Sequence, residues 1–200
     1  MSVAVAVRDQ VTAVAPGGFV HAERIDGSRN GVAIELHRMA RRGDLVHVHR
    51  GLYWKPDGRQ PRPSPASVAL EVGGVGSGPS SVSAARMLGL TTQVPSVVAM
   101  AVPRRVQHTI PGVRLHQRPS GRREAGLRPM EVAVVEVLRA GPAVVEGPDA
   151  VIAHAIDAAV ARGSVRPQLI DDVVRDERDV AARRRWDAVS PLLDAAPSGV

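Results

Sequence analysis

Apolar residues recur at helical spacing at Val7, Val11 and Val14 and stop at Pro16-Gly17-Gly18, which predicts a first helix over residues 3–14. Phe19 and Val20 follow as a short apolar pair, and HAERIDG, residues 21–27, is long enough for about two helical turns ending at Gly27. Ser28 is a suitable N-cap for RNGVAIELHRMARRG, in which Val32, Leu36, Met39 and Ala40 form one stripe and Gly43 is the stop. The period then changes from helical to alternating. Val46 and Val48 alternate with His47 and His49, Arg50-Gly51 makes a tight turn, and LYWK supplies a second strand that Pro56 ends.

Three helices followed by a two-stranded wing is the order of a winged helix-turn-helix, with residues 28–42 in the recognition position. That domain is expected over residues 1–58. Residues 59–67, rich in Pro and polar groups, read as a linker, and residues 68–200 as a mixed α/β domain ending in a helical tail, so the fold class is α+β. Within the second domain come SVALEVG, a flexible loop GGVGSGPSS, a short helix VSAARMLGL and two strands, SVVAMAV and GVRLHQR. The basic pairs Arg104-Arg105 and Arg122-Arg123 lie between and after them. Pro129 suits the first turn of a helix lined by Met130, Val134, Val137 and Leu138. Ile152, Ala155, Ile156, Ala159 and Val160 line another, stopped by Gly163, and two more amphipathic helices run from Arg166 to about Leu193.

Composition narrows the chemistry. With 44% apolar but only 2% aromatic residues, the core is built from Val, Ala and Leu, and aromatic boxes for a cofactor are not expected. Zero cysteines exclude disulfides, thiolate zinc sites and cysteine nucleophiles. No stretch approaches the roughly 18 to 20 apolar residues that cross a bilayer, and Arg8 and Asp9 interrupt the apolar start, which lacks a basic n-region. The expectation is a soluble, cytoplasmic protein without a membrane partner. The net charge of +6 is unevenly spread: residues 1–128 carry +10 and residues 129–200 carry −4. A basic front half is the electrostatic footprint of a nucleic-acid binder, and an acidic helical tail suits solvent or a basic protein.

Two stretches carry a family resemblance. RRGDLVHVHRGLYWKP, residues 41–56, resembles the wing of the N-terminal winged helix of AbiEi-type antitoxins, in which a helix ends in a basic-Gly pair and leads through a hydrophobic strand to Arg-Gly-aliphatic-Tyr and a lysine or proline. SAARMLGLTTQVP, residues 83–95, followed by VVAMAVPRR and PGVRLHQR, resembles the domain that follows this winged helix in the same group of transcriptional regulators of type IV toxin-antitoxin systems. The similarity covers roughly residues 1–175. It implies a cytoplasmic DNA-binding repressor of its own operon that, in complete systems, counteracts a nucleotidyltransferase-like toxin. Some related chains add a nuclease domain. Here Lys55 is the only lysine and no Asp is followed by a Glu-x-Lys strand motif, so neither nuclease nor other enzymatic activity is expected.

The partner expected for residues 28–55 is double-stranded operator DNA. Opposite the apolar stripe lie Arg29, Asn30, Ala33, His37 and Arg41. Arg29 is suited to guanine and Asn30 to adenine, each by bidentate contacts, while small Ala33 permits close approach. Arg38, Arg41 and Arg42, with His37, suit phosphates, and Arg50 at the wing tip the backbone or the minor groove. Ser28, His49 and Lys55 complete the expected contact set. Basic groups at a helix C-terminus also complement its dipole, which explains Arg41 and Arg42 without DNA. Leu36, Met39, Val46, Val48 and Trp54 read as core, and the Tyr53 hydroxyl as either a phosphate ligand or a solvated group.

Other motifs carry less. His47-x-His49 lacks a third ligand nearby, so no metal is expected. GGVGSGPSS lacks the Gly-Lys-Ser/Thr of a P-loop, and Val75 stands where Gly-x-Ser-x-Gly needs its first glycine. Thr91, Thr92 and Gln93 read as a polar helix-to-strand turn. A winged helix that binds a protein instead of DNA is the alternative function.

Overall fold

The computed structural model describes residues 2–59 and 62–193. Gln60 and Pro61, within the stretch read as linker, and residues 194–200 of the expected tail lie outside the described residues. The chain divides into two compact units, Met1–Val72 and Gly73–Val200.

The first unit opens with α1 (Val3–Ala13), whose N-cap Ser2 accepts a hydrogen bond from the Val5 amide at 3.4 Å. Val7 and Val11 turn inward as their spacing predicts. The expected two-turn helix over 21–27 does not form. Phe19–His21 is a strand, β1, and only one 3-10 turn, Ala22–Arg24, follows it. The reason is pairing: Phe19, Val20 and His21 lie antiparallel to Trp54, Tyr53 and Leu52, which commits the backbone of residue 21 to a sheet. A strand of three residues is too short for any period to reveal it.

Next comes α2 (Arg29–Arg42), then β2 (Val46–His49) and β3 (Leu52–Trp54), in a three-stranded antiparallel sheet of order β1-β3-β2. Central β3 is buried at all three positions. Edge strand β2 is not, so Val46 and Val48 are half-buried rather than core, and Leu45 takes the buried place at the strand's entrance. A bulge between His47 and His49 interrupts the expected alternation. Tyr53 is buried among Val7, Val20, Leu36 and Leu45, and its ring lies 5.0 Å from that of His47. As a residue Tyr53 belongs to the core, and burial pushes its phenol pKa up. Trp54, also buried, donates its indole N–H to the Gly17 carbonyl at 3.0 Å.

A further helix, α3 (Pro65–Gly73), starts inside the stretch read as linker, and the division between the units falls in its last turn. Proline at its first position and Ser64 just before it, whose hydroxyl accepts from the Ser67 amide at 3.1 Å, account for the start. His21 of β1 meets Glu71 of α3 at 2.7 Å.

In the second unit, β4 (Gly78–Pro79), β5 (Val98–Val102) and β6 (Val113–Gln117) form a sheet in that order, antiparallel between β4 and β5 and parallel between β5 and β6. The glycine-rich segment is exposed at Gly74 and Val75 and then enters β4. Residues 76–80 are buried, and a Cβ placed on Gly78 would sit 2.6 Å from the Cβ of Val132. The glycine is required there by close approach of strand to helix.

After α4 (Ser81–Met87) and the short α5 (Gly121–Glu124), α6 (Pro129–Ala140) runs through the middle of the unit. Every residue from Glu131 to Leu138 is buried, so α6 is covered on all sides rather than along one stripe. Helices α7 (Asp149–Ala161), α8 (Pro167–Asp176) and α9 (Val180–Leu193) pack with it into one core containing Ile152, Ile156, Ile170, Val174, Trp186 and Val189. The expected tail is therefore the larger part of that core. Among the described residues no helix is long and apolar enough to cross a membrane.

Candidate nucleic-acid interface

The outward face of α2 is built by its two ends. Ser28 accepts a hydrogen bond from the Gly31 amide at 3.2 Å and fixes where the helix begins. At the other end Gly43 adopts φ +85°, and its amide and that of Asp44 close onto the carbonyls of Ala40 and Met39. Between the caps Val32, Leu36 and Met39 are buried, which fixes the helix's rotation.

That rotation exposes Arg29, Asn30, Ala33, Ile34, His37, Arg38, Arg41 and Arg42. The side chains of Arg29, Asn30, His37 and Arg41 make no hydrogen bond or ion pair among the described residues. Arg38 lies 3.4 Å from Glu35, and the Arg42 Nε donates to Asp44 at 3.0 Å. With both guanidiniums exposed, such pairs are worth about 0–1 kcal/mol and do not withhold either arginine from a phosphate. The face thus presents four arginines, one imidazole and one amide, with Ala33 and Ile34 among them, over four turns.

Beside it, the β2–β3 hairpin turns at Arg50-Gly51, where Gly51 has φ +70°, leaving Arg50 exposed at the tip. His49 is half-buried at the base of this turn. Lys55 has a different task. Its ammonium donates to the carbonyls of Val11 at 3.0 Å and Val14 at 2.6 Å, capping the C-terminal end of α1, where backbone oxygens lack helical partners. That capping removes Lys55 from the set of exposed cations.

Ile34 was not singled out by sequence patterning. Its signal is available, however: it lies two residues from both Val32 and Leu36, which at 100° per residue places it on the opposite side of the helix from both.

Clustered chemistry in the second unit is internal. Glu136 is 2% exposed and accepts from Arg118 through Nε at 2.7 Å and through the terminal nitrogen at 2.8 Å. Fully buried Arg122 reaches Glu136 at 2.7 Å and Glu177 at 2.5 Å. Arg139 joins Glu177 at 2.8 Å to Asp179 at 3.1 Å. Burial alone would raise the Glu136 pKa, but the bonds and charges of Arg118 and Arg122 hold it below the ordinary value. A second clamp surrounds fully buried Glu131, which accepts from the Arg166 side chain at 2.6 Å and from the Arg128 amide at 2.7 Å. Arg122 is therefore not one half of a surface basic pair, and three carboxylates of the acidic half are neutralised inside the fold.

Thr91 and Thr92 serve the same end. Both hydroxyls and the Thr92 amide donate to Glu146, the Thr91 hydroxyl at 2.7 Å. They tie the turn after α4 to the loop before α7. His47 and His49 are separated by the bulge in β2, and no group of three or more His, Asp or Glu that could hold a metal ion occurs among the described residues.

No family model matches the chain, and no curated protein matches it. Among solved structures it is similar to the RV2827C protein from Mycobacterium tuberculosis, at 18% identity over 96% of this chain and 75% of that one, with a TM-score of 0.45.

Proposed function

We propose that this chain is a sequence-specific DNA-binding repressor of the AbiEi antitoxin type, with the first unit acting as a winged helix on operator DNA upstream of its own gene. The observation that carries the reading is the outward face of α2, where Arg29, Asn30, His37 and Arg41 are exposed without internal partners. Support comes from the order of helix, strand, turn, helix and hairpin, with the β2–β3 hairpin following α2 in a sheet of order β1-β3-β2. The resemblance of residues 41–56 and 83–95 to AbiEi-type antitoxins supports it independently. On that resemblance the second unit supports DNA binding, self-association or neutralisation of a nucleotidyltransferase-like toxin, in the cytoplasm and without catalysis.

In this reading α2 enters the major groove by its N-terminal half. Arg29 and Asn30 read base edges, and Ala33 admits close approach. His37, Arg38, Arg41 and Arg42 hold phosphates, and Arg50 follows the backbone from the hairpin tip. A gel-shift titration against the promoter upstream of the gene, repeated over a range of salt concentrations, tests it. The expected result is saturable binding that weakens linearly in log–log form as salt rises. Absence of salt-sensitive binding to that promoter refutes the operator claim, and retention of a neighbouring gene's product on the same face supports the protein-binding alternative.

A further inference from the structure

We infer that Ile34 is a specificity-determining residue, reading the C5-methyl group of a thymine in the major groove from the centre of the outward face of α2. This inference rests on the DNA-binding reading and adds to it one base and the group on that base.

Ile34 is 45% exposed in the middle of a fourteen-residue helix. Single exposed apolar residues are ordinary on protein surfaces, so its neighbours carry the argument. Asn30 stands one turn before it, His37 and Arg38 one turn after, and Arg41 two turns after, all on the same side. All four are exposed. The carboxylates on and just beyond the helix, Glu35 and Asp44, are each engaged by an arginine of α2. Glu23 and Asp26 are exposed in the turn ahead of the N-cap, before the face begins. The surroundings of Ile34 are thus cationic and hydrogen-bonding, as suits a polyanion and not an apolar protein surface.

A polyanion with an apolar group at the same depth is a duplex read through its major groove. There thymine presents a methyl group and adenine presents a donor and an acceptor to a carboxamide. Asn30 and Ile34 are separated by four residues, about 6 Å along the helix axis, or roughly two base-pair steps at 3.4 Å each. An adenine met by Asn30 and a thymine met by Ile34 therefore fall within the span of one recognition site. Small Ala33 on the flank keeps the backbone close enough for a branched side chain to touch the methyl.

The test uses the full chain. Duplexes are selected from a random pool, and each thymine of the selected site is then replaced singly by deoxyuridine, which removes the methyl and keeps the base pair. Dissociation constants are measured for the wild type and for Ile34→Ala, whose exposed position leaves the core intact. Burial of one methyl group is worth roughly fourfold in affinity. The expected result is one thymine whose replacement weakens the wild type by about that factor and leaves Ile34→Ala unaffected. Sites in which every thymine is replaceable without loss, or a methyl effect that persists undiminished in Ile34→Ala, overturn the inference while the DNA-binding reading stands. Failure to enrich any sequence removes both.

Discussion

Replacing Glu136 with glutamine isolates one charge at the centre of the second unit. The carboxylate is 2% exposed and receives Arg118 through two nitrogens and Arg122 through one. Arg122 is fully buried and cannot turn to water when its partner is neutralised. Arg118, at 19% side-chain exposure, can do so in part. In the native network three arginines, Arg118, Arg122 and Arg139, face Glu136, Glu177 and Asp179, so the charges cancel. Glu136→Gln leaves one excess positive charge inside. Removing one partner of a buried pair costs about 3–5 kcal/mol, and the lower end applies because glutamine keeps one acceptor oxygen. The assay follows Trp186, which is buried in the second unit, in a Trp54→Phe background where it is the sole indole. With a urea dependence of about 2 kcal/mol/M, the midpoint should fall by about 1.5 M. A companion variant, Arg122→Met with Glu136→Met, should recover at least half of the loss, because matched apolar replacements leave no unpaired charge. A fall corresponding to less than about 1 kcal/mol would refute the view that the network is electrostatically closed.

Three other outcomes follow from the same geometry. Gly78→Ala should destabilise the second unit by about 1–3 kcal/mol, since the new Cβ would meet Val132 at 2.6 Å and the Pro129 carbonyl at 2.7 Å; a neutral effect in urea denaturation would contradict that packing. Arg41→Ala should weaken binding to all DNA sequences alike and reduce the magnitude of the salt slope by about one, whereas Asn30→Ala should relax preference at one base, both measured by fluorescence anisotropy. Acid should loosen the second unit. Arginines hold the Glu131 and Glu136 pKa values below their unfolded range of about 4.3, so their contribution is whole above that pH and is lost as pH falls through the lower native values. A melting temperature for that unit that does not drop between pH 5 and pH 2.5 would show that these bonds contribute nothing.

Elements whose signal is local were legible in the sequence. The range of α2, its serine and glycine caps and the hairpin after it all rest on residues within a few positions of one another. What escaped depended on partners distant in sequence. Strand β1 exists because β3, some thirty residues later, pairs with it, and no periodicity in Phe19–His21 announces that. The glycines of residues 73–78 looked like loop punctuation, but at Gly78 the absence of a side chain admits α6, which starts fifty residues on. Two glutamates in α6 disguised a helix buried on every side, because only the fold brings Arg118, Arg122 and Arg166 to them. In the candidate interface the cationic positions were readable from helical spacing, while Lys55 was misplaced because its carbonyl partners lie more than forty residues earlier. Ile34 was passed over for a different reason, since an apolar side chain outside the stripe of Val32, Leu36, Met39 and Ala40 carries no polar group that marks it as a contact.

The bond between Lys55 and the end of α1 makes the chain unusual as a chemical object. It has 26 basic residues but a single side-chain amine, and that amine is already occupied by two backbone oxygens. Acylating it would remove the charge and the donors that α1 uses, so labelling and unfolding of the first unit are opposed to each other. A reagent selective for lysine amines should therefore react slowly with the native chain and quickly once that unit opens, giving a one-site readout of its integrity while every arginine offered to a nucleic acid stays untouched.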